Sequence, residues 1–373
     1  MRCGASDFTL TSKQDINIFN HDITQENLFI TKHTQINTSK TTHHLSASYS
    51  LVKHISLFSQ RFNQNPTHHY SLPLKPSDST RRLNSSTMQA ANHLHKTLHS
   101  NALALGAWQM LPGSNLSRIL ARTNPDWICV DTEHGNISDT AMHESVAAIA
   151  ACGVSPIVRT VSNEGWMIKR ALDAGAHGIV IPQLNNAEEA RSVVRAAKFP
   201  PQGIRGFGSP FAMERFAPKG GEPVSAAEYL QQANDALVTI IQIETQSALD
   251  NVDAIAAVPG VDVLFVGPYD LGNSIGYPIL ADGMHDELKA AIEKIHTAAK
   301  KAGKQSGIYC TDGDQARHYA DRGFTMISAM TDSLALGQGV STALSRAKGS
   351  WGHAALQGVK QGASRIVSSN SPY

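Results

Sequence analysis

Two carboxylates end apolar runs in a way that calls for a partner. Glu244 closes the run from Val238, and Asp270 follows the run from Val261 across the turn Gly267-Pro268-Tyr269. An unpaired carboxylate beside buried apolar residues is costly. A hard divalent cation, Mg²⁺ or Mn²⁺, would satisfy both, with waters and substrate oxygens completing an octahedral shell. An arginine beside each, or a helix to cap, would serve as well, and spacing alone does not choose. His134, after Val130-Asp131-Thr132-Glu133, is of the residue type that most often serves as a general base, although a lone histidine after a strand is more often structural. Arg159 has the shape to meet a carboxylate or a developing oxyanion, or merely to bridge acids. Asp173 falls in the last turn of a helix expected over Glu164 to Ala174, where negative charge opposes the helix dipole. It therefore needs a local partner or solvent, and orienting a histidine is one use.

Absent residue types narrow the chemistry. Schiff-base catalysis needs a lysine projecting from a strand, and none of the apolar runs contains one. The turns at Asp312 and Asp332 carry negative charge where a phosphate would otherwise fit. The glycine-rich stretch Gly203 to Ser209 is compatible with an anion site or a flexible lid.

The elements that must position these residues repeat regularly. Apolar runs occur at Leu103 to Met110, Trp127 to Glu133, Pro156 to Thr160, Gly178 to Pro182, Val238 to Glu244, Val261 to Gly267, Gln305 to Cys310 and Thr325 to Met330. Several lack polar alternation, as strands buried on both faces should. Helix signals lie between them: Ser138 before a run ending at Gly153, Asn186 with Glu189 three residues on, and Glu287 to Ala302 stopped by Gly303. Eight such units predict an α/β fold, a single (β/α)8 TIM barrel, with the strand ends at His134, Arg159, Glu244 and Asp270 on one rim. The rival, a doubly wound open sheet, lacks a GxGxxG after its first strand.

Residues 88–350 form this expected domain. Residues 1–87 hold nine basic against five acidic residues, are rich in Ser, Thr, Asn and His, and predict a disordered leader or a misassigned extension. A mitochondrial presequence is the alternative, opposed by Asp7, Asp15, Asp22 and Glu26. Residues 351–373 are expected to be a flexible tail. The 373 residues carry a net charge of +1, which gives no electrostatic reason to expect nucleic acid or an anionic membrane. The longest uncharged apolar stretch of the ordered part is too short to span a bilayer. Four scattered cysteines without a CxxC pair fit a reducing, cytoplasmic setting.

The runs Val130-Asp131-Thr132-Glu133-His134-Gly135, Ile157-Val158-Arg159, Pro200-Pro201-Gln202-Gly203-Ile204-Arg205-Gly206, Gln242-Ile243-Glu244-Thr245 and Val266-Gly267-Pro268-Tyr269-Asp270-Leu271 resemble the HpcH/HpaI class II pyruvate aldolases. The fungal macrophomate synthase is a relative of that family. The resemblance covers roughly Leu103 to Lys348. It implies that Glu244 and Asp270 hold a divalent metal, with no organic cofactor, and that Arg159 meets pyruvate or its enolate. It also implies a His134–Asp173 acid/base dyad, with Gln242, Gly267, Pro268 and Tyr269 around the substrate. The implied reaction is retro-aldol cleavage of a 4-hydroxy-2-oxo acid in a homo-oligomer with sites near subunit contacts. Oxaloacetate decarboxylation, or macrophomate-synthase-like use of the same enolate, is the alternative within the class, and a non-catalytic binding barrel the alternative outside it. Thr132, Tyr269 and an insertion over Phe211 to Val224 depart from the common pattern and leave the aldehyde open.

Overall fold

A computed structural model describes residues 87–217, 222–281 and 283–349. The expectations placed on residues 1–86 and 351–373 lie outside the described residues. The first described helix opens at Thr87.

Eight parallel strands close a barrel in sequence order: β1 (Ala104–Gln109), β2 (Trp127–Asp131), β3 (Ser155–Arg159), β4 (Gly178–Ile181), β5 (Val238–Ile243), β6 (Val263–Val266), β7 (Gln305–Tyr309) and β8 (Met326–Thr331). β8 returns to pair with β1, which excludes the open sheet. Two helices, α1 (Thr87–Ala91) and α2 (His93–His99), precede the barrel. The connections carry α3 (Ser114–Ala121), α4 (Asp139–Ala150), α5 (Gly165–Asp173), α6 (Ala187–Ala197), α7 (Phe211–Glu214), α8 (Ala226–Ala236), α9 (Gln246–Asp250), α10 (Val252–Ala256), α11 (Pro268–Ser274), α12 (Asp286–Lys301) and α13 (Gly313–Asp321). After β8 comes α14, residues 332–349. Among the described residues no helix is long and apolar enough to cross a membrane.

Strands β2 to β6 are buried at every position, because one face meets the barrel interior and the other meets helices. Alternate residues of successive strands, including Trp108, Trp127, Cys129, Ile157, Val180, Ile240, Val263, Phe265 and Met326, form one cluster inside the barrel. Their volumes require small neighbours. A Cβ on Gly106 would lie 2.1 Å from the Trp127 ring, and one on Gly307 would lie 2.4 Å from Phe265.

The N-terminal end of the barrel is closed by α2, whose Leu94 and Leu98 join the interior cluster. Asn92 caps α2 by accepting from the His95 amide at 3.1 Å. Its Nδ2 donates to the carbonyls of His177, at 2.8 Å, and Ala236, at 2.7 Å. Beside it, the buried His177 ring bonds Ser155 Oγ and the Arg215 carbonyl and stacks on Phe216. Burial lowers the His177 pKa to about 4. The His95 pKa is also lowered to about 4, by burial first and then by the neighbouring His99.

These shifts have a defined sign. Both histidines fold in the neutral form, so their contribution is intact above about 6.5 and is lost as pH falls toward 4. A fully buried histidine shifted this far contributes on the order of 3 kcal/mol across that window. Urea unfolding at pH 7 and pH 4.5 should show a marked loss of stability at the lower pH. His177→Gln should flatten the dependence, and an unchanged slope in that variant would remove His177 from the account.

Candidate active site

The interior rows of the strands run directly into the site. Cys129 is followed two residues on by Asp131, Ile157 by Arg159, Ile240 by Gln242 and Glu244, and Phe265 by Gly267. Period two therefore carries each polar side chain inward at the C-terminal end. The β2–β3 register sets Asp131 beside Arg159.

Asp131 is fully buried and holds Arg159 in a two-pronged pair, with Nε to Oδ1 at 2.9 Å and Nη2 to Oδ2 at 2.6 Å. It also accepts from Trp108 Nε1 and from the amides of Glu133 and His134. Burial pushes the Asp131 carboxyl up, but the Arg159 hydrogen bonds and charge outweigh burial and hold it below its ordinary value. Arg159 lies over the Trp108 ring at 5.0 Å and pairs with Glu133 at 3.1 Å. Burial disfavours its charge, yet the Asp131 pair keeps the guanidinium protonated and raises its pKa. Glu133 behaves oppositely: burial, opposed by Arg159 and reinforced by Glu244, raises its pKa to about 7.

Glu244 is buried at the end of β5. It accepts from the Gln183 amide at 2.7 Å and from Gln242 Nε2. Gln183 reaches it with a φ of 55°, a left-handed conformation unusual for a non-glycine residue and characteristic of functional strain. Burial, partly offset by these hydrogen bonds and reinforced by the charge of Asp270, raises the Glu244 pKa. Gly267 permits the approach, since a Cβ there would lie 2.7 Å from Glu244 Oε2 and 2.8 Å from Gln242 Nε2. Asp270 stands in the first turn of α11. Among the described residues no basic side chain lies within ion-pairing distance of Glu244 or Asp270, which disfavours the reading of an arginine partner for each.

This donor set fits a hard divalent cation. Glu244 and Asp270 act on each other without a direct ion-pair partner among the described residues, and the adjacent Gln242 Oε1 is buried without a hydrogen-bond partner. The described residues contain no cluster of three or more His, Cys, Asp or Glu with metal-holding geometry. Water and substrate oxygens would have to supply the remaining positions.

A cleft of about 180 Å³, open to solvent, gathers most of these residues. It is lined by Asp131, His134, Arg159, Gln242, Gly267, Pro268, Tyr269 and Asp270, with Trp108, Met110, Phe265 and Tyr309. Sequence reading assigned no role to Asp131, Trp108, Phe265 or Tyr309. Period-two counting back from Gly267 would have pointed to Phe265, whereas Asp131, Trp108 and Tyr309 lie on other strands and are brought in by the register of the barrel.

The His134–Asp173 dyad is not formed within the chain. His134 Nε2 is 3.9 Å from Glu133, and its side chain is 58% exposed. Asp173 instead receives Lys169 Nζ at 2.6 Å and Arg205 Nη2 at 3.0 Å. Those cations answer the unfavourable helix-end position read from sequence. They also explain the glycine-rich stretch, which is anchored: Arg205 is buried, stacks on Phe199 and bonds Tyr229. Asp312 caps α13, and Asp332 accepts the amides of Met110 and Leu111.

A closed parallel barrel with its ionisable residues gathered at the strand C-termini defines a TIM-barrel protein of the kind that hosts enzymes. The HpcH/HpaI aldolase/citrate lyase profile matches residues 105–336, and the chain belongs to that family. It is 36% identical over 263 residues to a hydroxypyruvate/pyruvate aldolase of Chromohalobacter salexigens, covering 70% of this chain and 100% of that one. It is 34% identical to a 4-hydroxy-2-oxo-heptane-1,7-dioate aldolase of Salmonella paratyphi C, covering 68% and 94% respectively. The crystal structure of a family member from Burkholderia cenocepacia superposes with a TM-score of 0.62 at 33% identity, covering 69% of this chain and 99% of that one.

Proposed function

We propose that this chain is a divalent-metal-dependent aldolase that cleaves a 4-hydroxy-2-oxo acid to pyruvate and an aldehyde. The observation that carries the reading is the interacting pair Glu244 and Asp270, neither ion-paired to a basic side chain among the described residues, with Asp270 lining the cleft that Arg159 enters. A cation held there, Mg²⁺ or Mn²⁺, would act as a Lewis acid toward the 2-oxo acid.

The chain's own groups do the rest. Arg159 is fixed by Asp131 through Nε and one Nη2 hydrogen and pairs with Glu133 through Nη1. N–H bonds on Nη1 and Nη2 stay free to meet the C2 oxygen as it gains charge. His134, exposed at the cleft, takes the C4 hydroxyl proton directly or through one water. The C4 oxygen then becomes the aldehyde carbonyl as the C3–C4 bond breaks, and that electron pair moves onto the C2 oxygen as the enolate. Protonation at C3 gives pyruvate. Oxaloacetate decarboxylation passes through the same enolate and remains the second reading.

His134→Ala separates the steps. It should suppress aldol cleavage by about a hundredfold or more while sparing much of the oxaloacetate decarboxylation, which needs no base at that position. Equal loss of both activities would reassign the proton transfer.

The reading includes a homo-oligomer. Residues 333–349 of α14 are exposed throughout, and Leu336, Val340 and Leu344 form an apolar stripe at helical spacing. On the outer face of β1, Leu105 is also 40% exposed. Each chain thus carries an exposed helix with an apolar stripe and an exposed apolar side chain on β1, which suits reciprocal burial between copies. A dyad of His134 with Asp173 would then have to join two copies. Sedimentation should give a dimer or larger assembly that Val340→Asp weakens, and a monomer at micromolar concentration would overturn this.

A further inference from the structure

Part of the cleft lining is a wall of aromatic rings. Trp108 and Phe265 lie at the base with centroids 5.8 Å apart. Tyr309 meets Trp108 edge-on at 5.4 Å, and Tyr269 stands beyond it at 6.4 Å, 44% exposed at the mouth. The Tyr309 hydroxyl is taken by Thr331 Oγ1 at 2.6 Å, which leaves the ring as the surface offered to a ligand. Met110 adds a further apolar contact.

Charge in the same region is unfavourable to an acidic ligand group. Arg159 is the sole lysine or arginine among the described residues lining the cleft, and it is engaged by Asp131 and Glu133. Its remaining N–H bonds serve the C2 oxygen, so a carboxylate on the far end of an aldehyde would find no second lysine or arginine among the described residues lining the cleft. An aromatic ring would meet edge-to-face partners at several heights.

We propose that the aldehyde half of this site takes an uncharged aromatic aldehyde in preference to a carboxylated aliphatic one. The proposal rests on the aldolase reading and specifies its substrate class. In the synthetic direction the pyruvate methyl loses a proton to give the enolate. C3 attacks the aldehyde carbon, and the carbonyl oxygen gains a proton, giving a 4-aryl-4-hydroxy-2-oxobutanoate.

The test runs three assays on the Mg²⁺-loaded full chain: exchange of the pyruvate methyl protons in D₂O, addition of pyruvate to benzaldehyde, and addition to succinic semialdehyde. Exchange should proceed, and kcat/KM for benzaldehyde should exceed that for succinic semialdehyde by roughly tenfold or more. Tyr309→Leu and Tyr269→Ala should each shrink that ratio, with exchange measured alongside to separate aldehyde recognition from enolate formation. Exchange with equal or inverted aldehyde preference would overturn the aromatic assignment alone. No exchange at all would overturn the aldolase reading beneath it.

Discussion

Arg159→Ala is expected to lose both aldol cleavage and oxaloacetate decarboxylation, because both reactions place charge on the same C2 oxygen. Removing one charge-assisted contact to such an oxyanion costs about 3 kcal/mol, or roughly a hundredfold in rate. The effect should extend to stability. Asp131 is fully buried and depends on Arg159 for its counter-charge, and breaking a buried pair costs about 3–5 kcal/mol. Arg159→Lys should recover little, since an ammonium cannot reproduce the fork to Oδ1 and Oδ2 while also facing Glu133. Steady-state kinetics with both substrates and a thermal melt of each variant provide the check. Activity within a few fold of the parent in Arg159→Ala would mean that the arginine only bridges acids.

Chelation should have the other large effect. Stripping divalent ions should abolish turnover, and Mg²⁺ or Mn²⁺ should restore it, because Glu244 and Asp270 repel each other and neither has a direct ion-pair partner among the described residues. Glu244→Gln removes one negative ligand while keeping its shape. It should weaken Mn²⁺ binding, measured by titration calorimetry, by about tenfold or more. Its circular dichroism should stay unchanged, since the Gln183 amide can still bond an oxygen at that position. Full activity in chelator, or a pyruvate adduct trapped on a lysine by borohydride, would sink the metal reading.

The barrel was legible in the sequence because its strands are buried on both faces. A segment such as Val238 to Ile243 must then be apolar at nearly every position, and eight such runs with helix caps between them leave few alternatives. Glu244, Asp270, Arg159 and His134 were legible for a related reason: a charged residue ending an apolar run stands out, and a barrel puts all such ends on one rim.

Partnership was not legible, because it depends on register and on contacts far apart in the chain. Only the pairing of Asp131 with Arg159 across β2 and β3 makes Asp131 the anchor of the guanidinium. Lys169 reaches Asp173 from its own helix, but only the return of Arg205 onto α5 adds a buried guanidinium from a distant segment. Trp108, Phe265, Tyr269 and Tyr309 are scattered over more than half of the sequence and become one wall only when β8 closes on β1. Residue types and their local periodicity thus determine which elements form and which end of each is polar. Which polar groups meet is decided by the closed sheet, since inter-strand register alone sets side chains from distant segments within hydrogen-bond reach.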